Sequence, residues 1–100
     1  MSARKPLPRR RNNWTMRGEA DGHKLYVAVG EYEDGTPGEI FLSNNKIGSM
    51  GRAYMEGFGI AASLALQHGC PVDVLCHSLE GQPDGPLKFV VERLKETYLK

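Results

Sequence analysis

"SMGRAYMEGFGIAASLALQHG", residues 49–69, reads as one long helix with an apolar character on several sides. Ser49 suits the N-cap, because its hydroxyl can accept from a free backbone N–H of the first turn. Gly69 suits the position just past the end, where a positive φ is tolerated. The helix is therefore expected to run from Ser49 to His68. Ala53, Gly57, Ala61 and Ala65 recur every fourth residue as a stripe of small side chains. Met50, Tyr54 and Phe58 form a larger stripe beside it, and Ile60 and Leu64 a third. A helix of this kind is expected to be buried on more than one side. A sheet can take one face, and the small stripe admits a second backbone, from a later helix or from a second subunit.

The segments before this helix have the period of strands. "WTMRGEA" (14–20) sets Trp14, Met16 and Gly18 against Thr15, Arg17 and Glu19, a period-two pattern. "DG" (21–22) is a hairpin turn. In "HKLYVAVGEY" (23–32), Leu25, Val27 and Val29 fall on one face, with Tyr26, Ala28 and Tyr32 on the other. "EDGTPG" (33–38) turns the chain into "EIFLS" (39–43), where Ile40 and Leu42 oppose Phe41. After the long helix, Pro71 suits the first position of a short helix, "PVDVLCHSL". "EGQPDGP" (80–86) is a loop. "LKFVVERLKETYLK" (87–100) is an amphipathic helix with Leu87, Val90, Val91 and Leu94 inward and lysines late, where the helix dipole favours them. The expected class is α+β: an N-terminal three-stranded antiparallel β-meander packed against a long central helix and one or two further C-terminal helices.

With 100 residues, 40% of them hydrophobic and 25% charged, the chain has the size and composition of one small globular domain. No run of eighteen apolar residues is present, and no apolar segment follows the basic N-terminus, so neither a membrane span nor a secretory signal is expected. The expected location is the cytoplasm, or the host cytoplasm if the protein is viral. Five residues separate Cys70 from Cys76, with no second pair. That spacing speaks against a closed zinc site and is read as two reduced, packed thiols. The three histidines, His23, His68 and His77, have no ligand spacing, and neither a metal nor another cofactor is expected.

The net charge of +1 conceals an asymmetry. Arg4, Lys5, Arg9, Arg10 and Arg11 carry +5, while the remaining eight basic and twelve acidic residues leave −4. Residues 1–12, with two prolines and little to bury, are expected to form an extended, mobile basic arm unless a partner orders them. Residues 13–100 form the domain. Such an arm fits contact with an anion or docking on an acidic surface. The acidic body argues against nucleic acid as the partner.

The candidate site is "NNKIGSMGR" (44–52). Gly48, Ser49 and Gly51 lie where the first N–H groups of a helix point outward, a ready anion site. Lys46 and Arg52 add charge, and Arg can grip a phosphate with two parallel bonds. Asn44 and Asn45 can donate to oxygen or to a base edge. The P-loop pattern is absent. Tyr26, Tyr32 and Phe41 are stacking surfaces if they stand on the open face of the sheet, where an aromatic contributes about 1–3 kcal/mol per stacked base. Packing is the commoner fate of such residues, and Phe41 is the one most expected to be buried against a neighbour. Glu31, Glu33, Asp34 and Glu39 are read as a solvated hairpin edge.

The ordered series "GHK", "GEYEDG", "GEIF", a lysine-x-glycine followed by arginine, "IAASLALQHGCP" and a later "GP", with "LPRRR" ahead of it, resembles the TSCPD domain. This is the C-terminal region of adenosylcobalamin-dependent ribonucleotide reductases, and the likeness spans roughly residues 7 to 87. It implies a detached accessory module. The reductase's barrel, cobalamin site and redox cysteines have no room in 100 residues with two cysteines, so no reductase activity is expected of the chain alone. The cysteine-rich tail of many members is missing, as is the motif that names the domain. The resulting expectation is a non-catalytic module that binds or sequesters a nucleotide or another phosphorylated small molecule. Phage proteins that sequester nucleotide signals offer an analogy of size and of a sheet capped by helices, at the level of fold alone. The alternative is a protein-interaction module acting on a reductase or another host complex. In either case a homo-oligomer is expected, since a marginal core with a many-sided apolar helix gains from a second subunit.

Overall fold

The structure, a computed structural model, describes residues 3–20, 22–44 and 48–99. Strands β1 (Asn13–Ala20), β2 (His23–Glu31) and β3 (Pro37–Ser43) form an antiparallel sheet in the order β1-β2-β3. Trp14, Met16 and Gly18 stand opposite Val29, Val27 and Leu25, while Ile40 and Leu42 stand opposite Val29 and Val27. Opposed residues share a face, so the alternation collects these side chains on one side of the sheet. Leu25, Val27, Val29, Ile40 and Leu42 are all buried there. The β2–β3 turn is closed by Asp34, whose carboxylate accepts from the Thr36 amide at 3.0 Å and its hydroxyl at 2.7 Å.

Helices α1 (Ser49–Gln67), α2 (Val72–Ser78) and α3 (Pro86–Tyr98) follow. Two starts differ from expectation by one residue. Gly48, extended at φ −66° and ψ 170°, is the N-cap of α1, and its carbonyl accepts from Arg52 N–H at 3.0 Å. Ser49 is therefore the first helical residue. Pro71 is likewise the N-cap of α2, because its ψ of 146° is extended and its carbonyl already accepts from Leu75 N–H. At the far end of α1, Gly69 takes φ 96° as expected.

Helix α3 packs on β1. Phe89, Val90, Val91 and Leu94 are buried, while Leu87, expected inward, is only half-buried. Phe89 takes the inner position because its ring lies on Gly18, where an added Cβ would come within 2.1 Å of the ring. The far end of α3 is tied by side chains: Trp14 Nε1–H donates to Tyr98 Oη at 2.9 Å, and Tyr98 donates in turn to Glu31.

Helix α1 lies along the outer edge of β3. Gly59, Ser63 and Gln67, each one turn further along, face the strand. The Ser63 hydroxyl accepts from Ile40 N–H at 2.8 Å, and Gln67 Nε2 donates to Gly38 O at 2.9 Å. A glycine is needed at 59, since a Cβ there would stand 2.9 Å from Ile40 O. An open strand edge is a template for pairing with another chain, and here the helix supplies the missing partner atoms. Met55, Ala62 and Leu66 on the adjoining side of α1 enter the core.

The opposite side of α1 corrects the expectation of burial on several sides. Ala53, Gly57 and Ala61 are exposed, and neither α2 nor α3 covers them. The reason is the 80–85 loop, which carries α3 away to β1, so that α2 and α3 pack with each other instead.

Residues 3–12 have no regular secondary structure and lie against the body. Lys5 N–H donates to Gln67 O at 2.7 Å, Tyr32 Oη to Lys5 O at 2.5 Å, and Glu31 N–H to Asn12 O at 2.9 Å. The body itself thus offers partners to the arm.

Candidate functional site

The residues singled out in the sequence do not converge on one place. Asn45 and Lys46 lie outside the described residues. Gly48 and Ser49 do stand at the start of α1, in the positions given above, and Arg52 is exposed one turn on. The first turn carries no acidic residue, which leaves the positive end of the helix dipole uncompensated by local carboxylates. Asn44 is buried. Tyr26, half-buried, is opposite Ser43 and so near this end of the sheet. Tyr32 lies past the opposite end of β2, about 20 Å away at the rise of an extended strand.

Tyr32 is not available for stacking. It is buried, its hydroxyl is committed to Lys5 O, and the Lys5 ammonium stands 4.8 Å from its ring centroid. Burial raises its phenol above the ordinary value. A register shift between Gly30 and Glu31 displaces Tyr32 from the open face expected of it.

Phe41 behaves in the opposite sense to expectation, with 56% of its surface exposed. Its neighbours Ile40 and Leu42 point into the core, so the pleat sends Phe41 to the outer face, and no element packs on that face beside it among the described residues. There it lines a groove of about 720 Å³ between β3 and α1. Leu42 and Ser43 contribute from the strand, Ile60 and Leu64 from the helix, and Arg4 and Gln67 add polar groups. Arg4 Nε donates to Gln67 Oε1 at 2.6 Å, which holds the guanidinium at the groove. Sequence reasoning misses Arg4, because composition places it in a mobile arm. The available signal was the proline-rich segment, which fixes an extended path.

The arm's other cations divide. Arg11 clasps Glu39 with two parallel bonds, Nε to Oε2 at 2.6 Å and Nη2 to Oε1 at 3.2 Å, and Nη1 donates to Pro8 O. Arg9 and Arg10 are exposed. The acidic residues around the turn likewise have separate roles rather than forming one solvated edge. Glu39 is buried against Arg11, Glu31 accepts from Tyr98, and Asp34 closes the turn, its carboxyl held below the ordinary range by the Thr36 bonds.

Cys70 is half-buried and Cys76 buried, both as free thiols. Burial pushes the Cys76 thiol above its ordinary value. Among the described residues no group of three or more His, Cys, Asp or Glu could hold a metal ion, and no helix is long and apolar enough to cross a membrane.

The fold and the groove define a small two-layer module with a helix-closed sheet edge. The chain belongs to the TSCPD domain family, whose model matches residues 2–98. It is 38% identical, over 88% of its own length, to the vitamin B12-dependent ribonucleotide reductase of Bradyrhizobium diazoefficiens. The corresponding enzymes of Agrobacterium fabrum and Rhodopirellula baltica are 46% and 42% identical over 70% and 72% of the chain. The chain spans only 7%, 6% and 7% of these relatives, in the same order. No solved structure matches it.

Proposed function

We propose that this chain is a non-catalytic binding module that takes a small nucleotide-like ligand in the groove between α1 and β3. The observation that carries the reading is Phe41, an aromatic face left open to a 720 Å³ groove beside the tethered guanidinium of Arg4. A ring stacks on the phenylalanine, and the guanidinium N–H groups not used on Gln67 meet a phosphate. The apolar side chains of Ile60 and Leu64 exclude water from the opposite wall. Glu39 also lines the groove, but its charge is offset by the two bonds from Arg11. Membership of a family shared with ribonucleotide reductases supports a ligand of nucleotide class. The small share of those enzymes that the chain spans supports a role without reductase chemistry.

Calorimetric titration with nucleoside mono-, di- and triphosphates and with cyclic nucleotides tests this. Micromolar binding that weakens roughly fivefold or more in Phe41→Ala is expected, since loss of stacking costs about 1–3 kcal/mol. Absence of binding below millimolar, or affinity unchanged in both Phe41→Ala and Arg4→Ala, rejects the groove.

A second reading, an accessory module docking on a larger protein, is favoured by the uncovered apolar side of α1. Retention of a large partner in a pull-down, with no small ligand carried, would favour it.

A further inference from the structure

The uncovered side of α1 presents Met50, Tyr54, Ile60 and Leu64 at 71%, 72%, 64% and 41% exposure. Ala53, Gly57 and Ala61 lie between them and are exposed too. Of the two charged residues within this span, Arg52 falls on the other side of the helix at 100° per residue, and Glu56 borders the patch one turn before Ile60. Taking large side chains at about 150–250 Å² each, the four present on the order of 500 Å² of apolar surface. That is near the upper limit for the largest apolar patch of a soluble monomer. With the small residues and a polar rim added, it approaches the roughly 800 Å² per partner of a stable interface.

Two features identify the partner. The first is Gly57. A glycine inside a helix costs about 1 kcal/mol relative to alanine, and Gly59 has a reason within the chain, the close approach of Ile40 O. Gly57 has none, since a Cβ added there meets nothing within 4 Å. Its bareness has a use only if something outside the chain comes close. The second feature is the order of residues about that glycine. Three residues to either side stand Tyr54 and Ile60, four away Ala53 and Ala61, and seven away Met50 and Leu64. Large matches large and small matches small. In two antiparallel helices related by a two-fold axis at Gly57, each residue comes level with its counterpart on the other copy. The small residues then meet at the crossing, and the large ones flank it at both ends.

We infer that the protein is a two-fold homodimer in which α1 pairs antiparallel with α1 of a second copy, crossing at Gly57. A two-fold contact uses the same patch on both copies, and small residues centred on Gly57 let two such patches approach closely where they cross, with large apolar residues on either side. The face shares Ile60 and Leu64 with the wall of the groove, but the inference is centred on Gly57, and its test reads mass rather than ligand binding.

Sedimentation equilibrium of the whole chain is the test, with Gly57→Arg as the disrupting variant and circular dichroism as the check on folding. Gly57 is exposed and uncrowded within one chain, so the variant is expected to keep its helical spectrum while its mass falls from dimer to monomer. Site-specific crosslinking fixes the geometry. Gly57→Cys is expected to form a disulfide with its own mate, as is a mixture of Met50→Cys with Leu64→Cys. Met50→Cys by itself is not, because about 20 Å of helix separates the two copies of that position. A wild-type monomer at all micromolar concentrations overturns the inference. So does a dimer that survives Gly57→Arg, or a Met50→Cys protein that crosslinks to itself as readily as the mixture.

Discussion

The hydroxyl of Ser63 accepts the Ile40 amide at 2.8 Å and reaches back to the Ile40 carbonyl at 3.3 Å, so a helix residue stands where a fourth strand would pair. This arrangement closes the edge of β3 and, by holding α1 beside the strand, creates the groove that exposes Phe41. Ser63→Ala should leave the Ile40 amide without its partner at a partly buried edge. The expected loss is about 1–2 kcal/mol, read from urea unfolding. A change within a few tenths would mean that water replaces the hydroxyl fully.

Arg11 and Glu39 should behave as one unit. Glu39 is buried, and both of its oxygens are held by Arg11. Arg11→Ala strands the carboxylate, whereas the Arg11→Ala, Glu39→Gln double variant removes the stranded charge. The double variant is therefore expected to melt at a higher temperature than Arg11→Ala alone. Strict additivity of the two single changes in thermal melts would show the pair to be solvated and uncoupled.

Tyr98 predicts a loss of stability at alkaline pH. Burial, followed by the hydrogen bond to Glu31, raises its phenol well above the ordinary 10.0. The folded state thus favours the protonated form. That contribution is fully present below the unfolded value of about 10 and declines as pH rises past it toward the higher folded value. Tyr98→Phe should lose about 1–2 kcal/mol at neutral pH, with Trp14 and Glu31 left unpartnered. It should also show a shallower decline above pH 10 than the parent, as measured by denaturant titrations across that range. Parallel declines would exclude Tyr98 as the cause.

The two thiols should separate kinetically. Cys76 is buried with its thiol pushed up, and Cys70 is half-buried at the end of α1. Only the thiolate is a nucleophile. Iodoacetamide is therefore expected to modify Cys70 first, with Cys76 following only on unfolding, as resolved by mass spectrometry of timed quenches. Equal rates in the native protein would contradict the packing of α2.

The meander was legible because its signals are local. Leu25, Val27 and Val29 alternate over a short window, and Asp34-Gly35 can close a turn from nearby atoms. The end of α1 was legible for the same reason, since Gly69 needs only its own φ. Phe41 departs from the expected burial, and Tyr32 takes the packed fate rather than the stacking one, because exposure depends on which elements come to rest on each face. A single register shift after Gly30 sent Tyr32 inward, and α1 docked on the strand edge rather than over Phe41. Arg4 was passed over because composition says that a proline-rich basic segment buries little, and nothing local reveals the Gln67 side chain that receives it.

Periodicity, turn residues and the ordered family motifs were enough to establish three strands, a long central helix with one or two more behind it, their order and the family, since each depends on chemistry within a few residues along the chain. Where the arm lies, which side of α1 meets β3, and that Phe41 opens onto a groove emerged only once distant segments were brought together. Those outcomes depend on contacts such as Ser63 with Ile40 and Arg4 with Gln67, separated by 23 and 63 residues. Contacts of that kind leave no periodic trace in the chain.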